Sequence, residues 1–223
     1  GLVASETEMA SHHYLVFVFL LFASARFSKG STYGDRYAKP DECEKLECAP
    51  YRVVKTTTDF QIRRYKPSKW IATYPIRSST YLSAIDEGFM TLFGYIQGGN
   101  SMKKKMSMTA PVMVDVTHDG DGGKDARFVV YFYLPREYQS NPPAAKDAHP
   151  ERLPKHRYAA VRRFGGFMND TNIPYQVAAL RKSVEGYAWG AQTTATAYTI
   201  AAYNGPDEVH HRVNEVIMWF DKM

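Results

Sequence analysis

Lys105-Met106-Ser107-Met108-Thr109-Ala110-Pro111-Val112 is the stretch whose pattern decides how this chain is read. From Met106 onward every second residue is apolar, through Met108, Ala110, Val112, Val114 and Val116, which is the period of a β-strand with one buried face. Just upstream, Tyr95-Ile96-Gln97-Gly98-Gly99-Asn100 reads as a helix end stopped by glycine. Methionine is flexible and polarizable, suited to irregular pockets and flat aromatic ligands. Two methionines opening a core strand straight after a helix predict a cavity as well as a core.

Working outward, the chain repeats itself. A helix is predicted over residues 81–97, with Ser78, Ser79 and Thr80 as capping candidates and Ile85, Phe89, Leu92 and Ile96 as its buried positions. A second is predicted over residues 173–185, after Thr171 and Asn172 and ending at Gly186, with Ile173, Val177, Leu180 and Val184 apolar. Both stripes show the offsets 0, +4, +7 and +11. Each helix follows a predicted strand (70–74; 158–164) and precedes two (106–116 and 128–134; 197–203 and 213–220). Further strands are expected at 51–54 and 60–65, with Pro67 and Pro75 as punctuation and Asp119-Gly120-Asp121-Gly122-Gly123 as a turn. A duplicated β-α-β-β unit implies an α+β fold: an antiparallel or mixed sheet with helices to one side, or a closed barrel that hides its edges. Residues 141–154, rich in proline, read as a connector between the halves.

Four separated segments carry a family resemblance: Tyr95-Ile96-Gln97-Gly98, Lys105 to Val112, Tyr203-Asn204-Gly205-Pro206 and Arg212-Val213-Asn214-Glu215-Val216. Together, in order and spacing, they resemble the SOUL family of haem-binding proteins from about Tyr51 to Phe220, and with the leader described below they look like its plant-type secretory members. The resemblance implies the barrel alternative, a distorted antiparallel or mixed β-barrel with two helices, similar also to bacterial effector-binding domains. It further implies non-covalent binding of haem or another tetrapyrrole in a shallow hydrophobic groove against the first helix, for carrying or buffering. No axial histidine is shared by the whole family.

Composition frames these expectations. At 223 residues and 44% hydrophobic, the chain has room for one domain of about 170 residues plus a leader. Residues 14–22 are an unbroken apolar run leading to Ala23-Ser24-Ala25, the pattern of a cleaved secretory signal, and far short of the ~20 residues that span a bilayer. The expected organisation is therefore residues 1–25 as signal peptide with upstream residues before Met9, 26–50 as a polar arm, and 51–223 as the domain. Secretion or an endomembrane or vacuolar location follows, with no stable membrane insertion. Cys43 and Cys48, the only cysteines, read as a disulfide in that oxidising setting. Covalent haem attachment through Cys-x-x-Cys-His is excluded, and no metal site is expected. Asn169-Asp170-Thr171 is a glycosylation sequon, usable if the chain is exported. Net charge is +5, rising to +7 once residues 1–25, with Glu6 and Glu8 and no Lys or Arg, are removed. Lys103-Lys104-Lys105 forms no recognisable nucleic-acid motif, so nucleic acid is not the expected partner.

The candidate site starts on the first helix. Beside its core stripe runs a second row, Asp86, Met90, Phe93 and Gln97, whose large apolar members need a cover that one sheet does not supply. The everyday cover is the connector or a neighbouring strand; the resemblance implies a tetrapyrrole against Phe89, Met90, Phe93 and Gln97. No histidine falls on a predicted apolar face, leaving His211, Tyr203, Met90 or no protein group as axial ligand. Lys103, Lys104, Lys105, Arg63 and Arg64 are candidates for the propionates. Glu215 is expected on the apolar face of the last strand with Val213, Ile217 and Trp219, either paired with a backbone donor or an arginine such as Arg162 or Arg163, or touching a ligand. Two alternative functions rest on it: a module for cationic or amphipathic molecules, and a hydrolase with Tyr203 or Tyr198 as partner. No nucleophile elbow, His-Glu-x-x-His helix or phosphate loop occurs, so no catalytic residue and no catalytic cofactor are assigned.

Overall fold

A computed structural model describes residues 43–118, 126–193 and 196–223. The expected signal peptide, residues 26–42 of the arm and the 119–123 turn lie outside the described residues. Strands β1 (Glu47–Cys48), β2 (Tyr51–Thr56), β3 (Gln61–Tyr65), β4 (Ser68–Thr73) and β5 (Ile76–Ser78) lead into helix α1 (Tyr81–Ile96). Then come β6 (Thr109–Ala110), β7 (Val112–His118), β8 (Ala126–Tyr133), β9 (Ala148–Leu153), β10 (Tyr158–Phe164), helix α2 (Asn172–Val184), β11 (Ala197–Ala202) and β12 (Asn214–Phe220).

The main sheet is antiparallel throughout and runs β2-β3-β10-β12-β11-β7-β8-β4-β9, with β5 joined to β8. Its order is a palindrome about the β7–β11 pair. Stepping outward, β8 matches β12, β4 matches β10, and β9 matches β3, so each unit lends the strand before it to the other unit. The duplication expected from the two helical stripes is thus built into the hydrogen bonding. The end strands β2 and β9 do not pair with each other, and the curled sheet is a half-barrel.

Strand alternation sorts side chains onto two faces. Phe128, Val130 and Phe132 of β8, Val114 and Val116 of β7, Ile200 of β11 and Val216 and Met218 of β12 fall on one face, against which α1 and α2 pack. The opposite, concave face carries Tyr65, Trp70, Met113, Tyr131, Val161, Ile217 and Trp219. Cys43 and Cys48 are joined as a disulfide with Cα atoms 5.9 Å apart, and their segment packs into that concave cluster while β1 pairs with β6.

Three expectations change. The strand predicted over 106–116 is split into β6 and β7 around Pro111, which has no N–H to donate, and β7 is buried on both faces, with Met113 as well as Val114 and Val116 enclosed. The connector contains β9, which pairs with β4 from Ser68↔Leu153 to Thr73↔Ala148. Its Ala148-His149-Pro150-Glu151-Arg152-Leu153 looks unlike a strand because an edge tolerates proline and charge. The α1 stripe is also rolled: Ala84, Gly88, Leu92, Phe93, Tyr95 and Ile96 are buried, while Ile85 and Phe89 are half-buried. A Cβ on Gly88 would stand 2.2 Å from Val130 Cγ2, so the helix presses its smallest residues to β8, a preference that apolar periodicity cannot register.

One helix cap is likewise borrowed across the units, and the other is local. Thr80 makes no capping bond; the Tyr81 N–H at the start of α1 donates to Asp170 Oδ1, from the loop before α2. Asn169 Oδ1 accepts from the Thr171 and Asn172 N–H groups and serves α2.

Candidate functional site

On the helix side, α1 turns an incompletely covered apolar surface outward. Met90 is 47% exposed and Leu82 49%, two turns apart on one row. Phe89 is half-buried, stacked on Phe93 with ring centres 5.9 Å apart and edge-on to Phe132 at 5.3 Å. Phe93 itself is only 8% exposed, and Asp86 is exposed. Of the predicted second row, Met90 is therefore the large apolar member left bare, with Phe89 beside it.

The C-terminal end of α1 is fixed by local chemistry. Gln97 closes the helix and bridges to Lys105, and Gly98 takes the left-handed φ of 107° that glycine tolerates. Asn100 Nδ2 donates to the Tyr95 and Lys104 carbonyls, while its Oδ1 accepts from the Met102 and Lys104 N–H groups. This loop holds Lys103, Lys104 and Lys105 exposed, just beyond the C-terminal end of α1.

Glu215 lies on the other side of the sheet. Its carboxylate meets Arg63 Nη1 at 2.9 Å, Arg163 Nη2 at 3.3 Å and the Tyr203 hydroxyl, which donates at 3.1 Å. Burial opposes the Arg63 charge, but Tyr65, Glu215, Tyr51 and Tyr203 around it outweigh that and hold its pKa above the ordinary value. The guanidinium also stacks on Tyr51 at 4.0 Å. Burial pushes Tyr203 and Tyr65 well above the ordinary tyrosine range. Arg163 was among the expected partners; Arg63, expected at a propionate, is instead committed to Glu215. That commitment disfavours both the cationic-ligand and the hydrolase readings of Glu215.

Six of the seven predicted site residues therefore form two sets. Phe89, Met90, Phe93 and Gln97 share α1, whereas Tyr203 and Glu215 bond to each other across the sheet. His211 is exposed in the β11–β12 loop with a left-handed φ of 54°. Among the described residues no group of three or more His, Cys, Asp or Glu side chains could hold a metal ion. No helix there is long and apolar enough to cross a membrane.

The concave face also holds a recess of about 180 Å³ between β7, β11, β12 and the turn after β9. Asp115 lies in it, accepting hydrogen bonds from the Thr199 hydroxyl and, at 3.1 Å, from Tyr131. Burial raises the Asp115 pKa, with the Thr199 and Tyr131 bonds pulling the other way. Sequence reading missed this residue. Between Val114 and Val116 it occupies the position that one-sided alternation assigns to solvent, and nothing local says that both faces of β7 are enclosed.

Comparison with known proteins gives consistent results. The family described as SOUL heme-binding protein matches residues 46–219. Heme-binding protein 2 of Mus musculus is 30% identical over 171 residues, covering 75% of this chain and 81% of its own. Heme-binding protein 2 of Homo sapiens is 31% identical over 158 residues, covering 70% and 76%. Heme-binding protein 1 of Sus scrofa is 27% identical over 176 residues, covering 77% and 91%.

Proposed function

The chain belongs to the SOUL heme-binding protein family, and from that premise we propose that it carries or buffers haem and related tetrapyrroles, held non-covalently along the outward side of α1. The observation that carries the reading is the bare Met90 and Leu82 on a helix whose C-terminal end presents three exposed lysines. A flat apolar macrocycle laid over Met90 and Phe89 buries surface on both partners. Its propionates point toward Lys103–Lys105, and Gln97 sits between the two. Tyr203 is sequestered with Glu215, which leaves Met90, His211 or no protein group for the iron. Affinity then comes from apolar contact and charge, so binding is micromolar, about 8 kcal/mol, and nearly independent of the metal.

The proposal includes export. The apolar run at residues 14–22, the Ala23-Ser24-Ala25 pattern and the disulfide support it; amino-terminal sequencing of the protein expressed in a eukaryotic cell tests it, and a mature chain still beginning before residue 14 rejects it.

The binding proposal is tested by titrating haemin and protoporphyrin into the protein and into Met90→Glu. Comparable affinities for the two pigments and a clear loss in the variant are expected. Nanomolar haemin affinity with no protoporphyrin binding, or an unaltered variant, overturns it.

A further inference from the structure

We propose that the concave face holds a second ligand site, in which Asp115 receives the ammonium of a small organic cation with an apolar or aromatic body. The site is separate from the α1 groove, because the sheet stands between them.

The recess sets one carboxylate against an apolar wall, with Lys155 and His156 at its rim. Met113, Leu153 and Trp219 supply apolar and aromatic walls, and Asp115 with Thr199 supplies the polar floor. Its volume of about 180 Å³ is enough for several waters or a small organic molecule. The Trp219 indole N–H donates to Thr199 Oγ1 at 2.8 Å, so the threonine hydrogen is directed to Asp115.

Cation rather than anion follows from which charges are already matched. Lys155 at the rim reaches Glu151 at 2.5 Å, and His156 reaches Asp221 at 3.1 Å. Glu215, on the same sheet face, has two arginines. Asp115 has no direct ion pair: among the described residues its bonds are to two neutral hydroxyls, and Lys155 attracts it only from a distance, being bonded to Glu151. Each carboxylate oxygen has capacity for more than one bond, and capacity remains at Asp115. A part-buried carboxylate with no bonded countercharge is unfavourable for folding, and a ligand ammonium beside the Trp219 ring satisfies it with a charge-assisted bond and a cation–π contact.

The test is titration of the full chain with 2-phenylethylammonium, followed by calorimetry and by the Trp219 indole N–H resonance, with neutral 2-phenylethanol as control. The expected result is saturable binding of the cation, at least about tenfold stronger than of the alcohol, and at least about tenfold weaker in Asp115→Asn. Protoporphyrin affinity is expected to be unaltered in that variant. Equal binding of cation and alcohol, equal binding to the variant, or no saturation by about 10 mM overturns the proposal. Should Asp115→Asn not fold, the wild-type titration still decides: the Trp219 indole resonance must shift with the cation and not with the alcohol.

Discussion

Arg63 and Glu215 belong to β3 and β12, two strands with β10 lying between them, yet their side chains meet at 2.9 Å with 1% and 0% exposure. The guanidinium spans β10 over its small Ala159 and its Val161, which pair with β3 and β12 at that level. Removing Arg63 leaves the Glu215 charge buried with only the longer Arg163 contact, at 3.3 Å. Arg63→Met is expected to lower unfolding free energy by about 3–5 kcal/mol, and the double variant Arg63→Met, Glu215→Gln to recover part of that loss. Chemical denaturation of the three proteins checks it; no recovery in the double variant would mean that packing, and not charge, is what Arg63 supplies.

Asp115 is a carboxylate whose folded-state pKa is raised by burial. Its protonated form stabilises the fold below the unfolded value, near about pH 4, and that contribution is lost as pH rises through the folded pKa. Asp115→Asn does not titrate there. Its stability relative to wild type is therefore expected to improve between about pH 4 and pH 7, read from denaturation midpoints at the two values. A difference that is constant with pH would contradict the shift.

Met90 and Phe93 are neighbours on α1 with opposite surroundings, 47% against 8% exposed. Phe93→Ala is expected to destabilise the fold by about 3 kcal/mol or more, since the ring is enclosed beside Phe89. Met90→Ala is expected to leave stability within about 0.5 kcal/mol while weakening porphyrin binding by about 1 kcal/mol through lost contact area. Thermal melts with paired porphyrin titrations separate the two. If Phe93→Ala melts like wild type, its ring belongs to the open groove.

Gly88 sets how deeply α1 seats on β8. Alanine favours helix over glycine by about 1 kcal/mol, but its methyl would stand 2.2 Å from Val130 Cγ2. Overpacking of that kind costs about 1–3 kcal/mol, so Gly88→Ala is expected to be net destabilising, and Gly88→Ala with Val130→Ala to relieve the clash. Gly94 on the same helix has open space around its Cβ position, and Gly94→Ala is expected to stabilise. Denaturation of these three variants gives the signs directly.

Much of this was legible in the chain. The two helices, the strand pairs after them and the disulfide were all read from residues whose spacing or type is fixed locally: 3.6- and 2-residue periods, glycine stops, an even pair of cysteines behind an apolar leader. Edge strand β9 was not, because a strand bonded on one side needs no apolar alternation and tolerates Pro150. Nor was the roll of α1, since Ala84 and Gly88 face the sheet by being small.

The sequence by itself determined the duplicated unit, and with it the α+β class and the family, because each signal lies within a few residues of chain. Only the tertiary structure decided which carboxylate is matched and which is not. Glu215 and Asp115 both interrupt apolar strands, and their neighbours along the chain do not distinguish them. The difference is that Arg63, 152 residues from Glu215, reaches over β10 to one, while the other faces a recess whose Lys155 and His156 are paired with Glu151 and Asp221 instead. Ion pairing across a sheet depends on register and side-chain length in three dimensions, and a one-dimensional period carries neither.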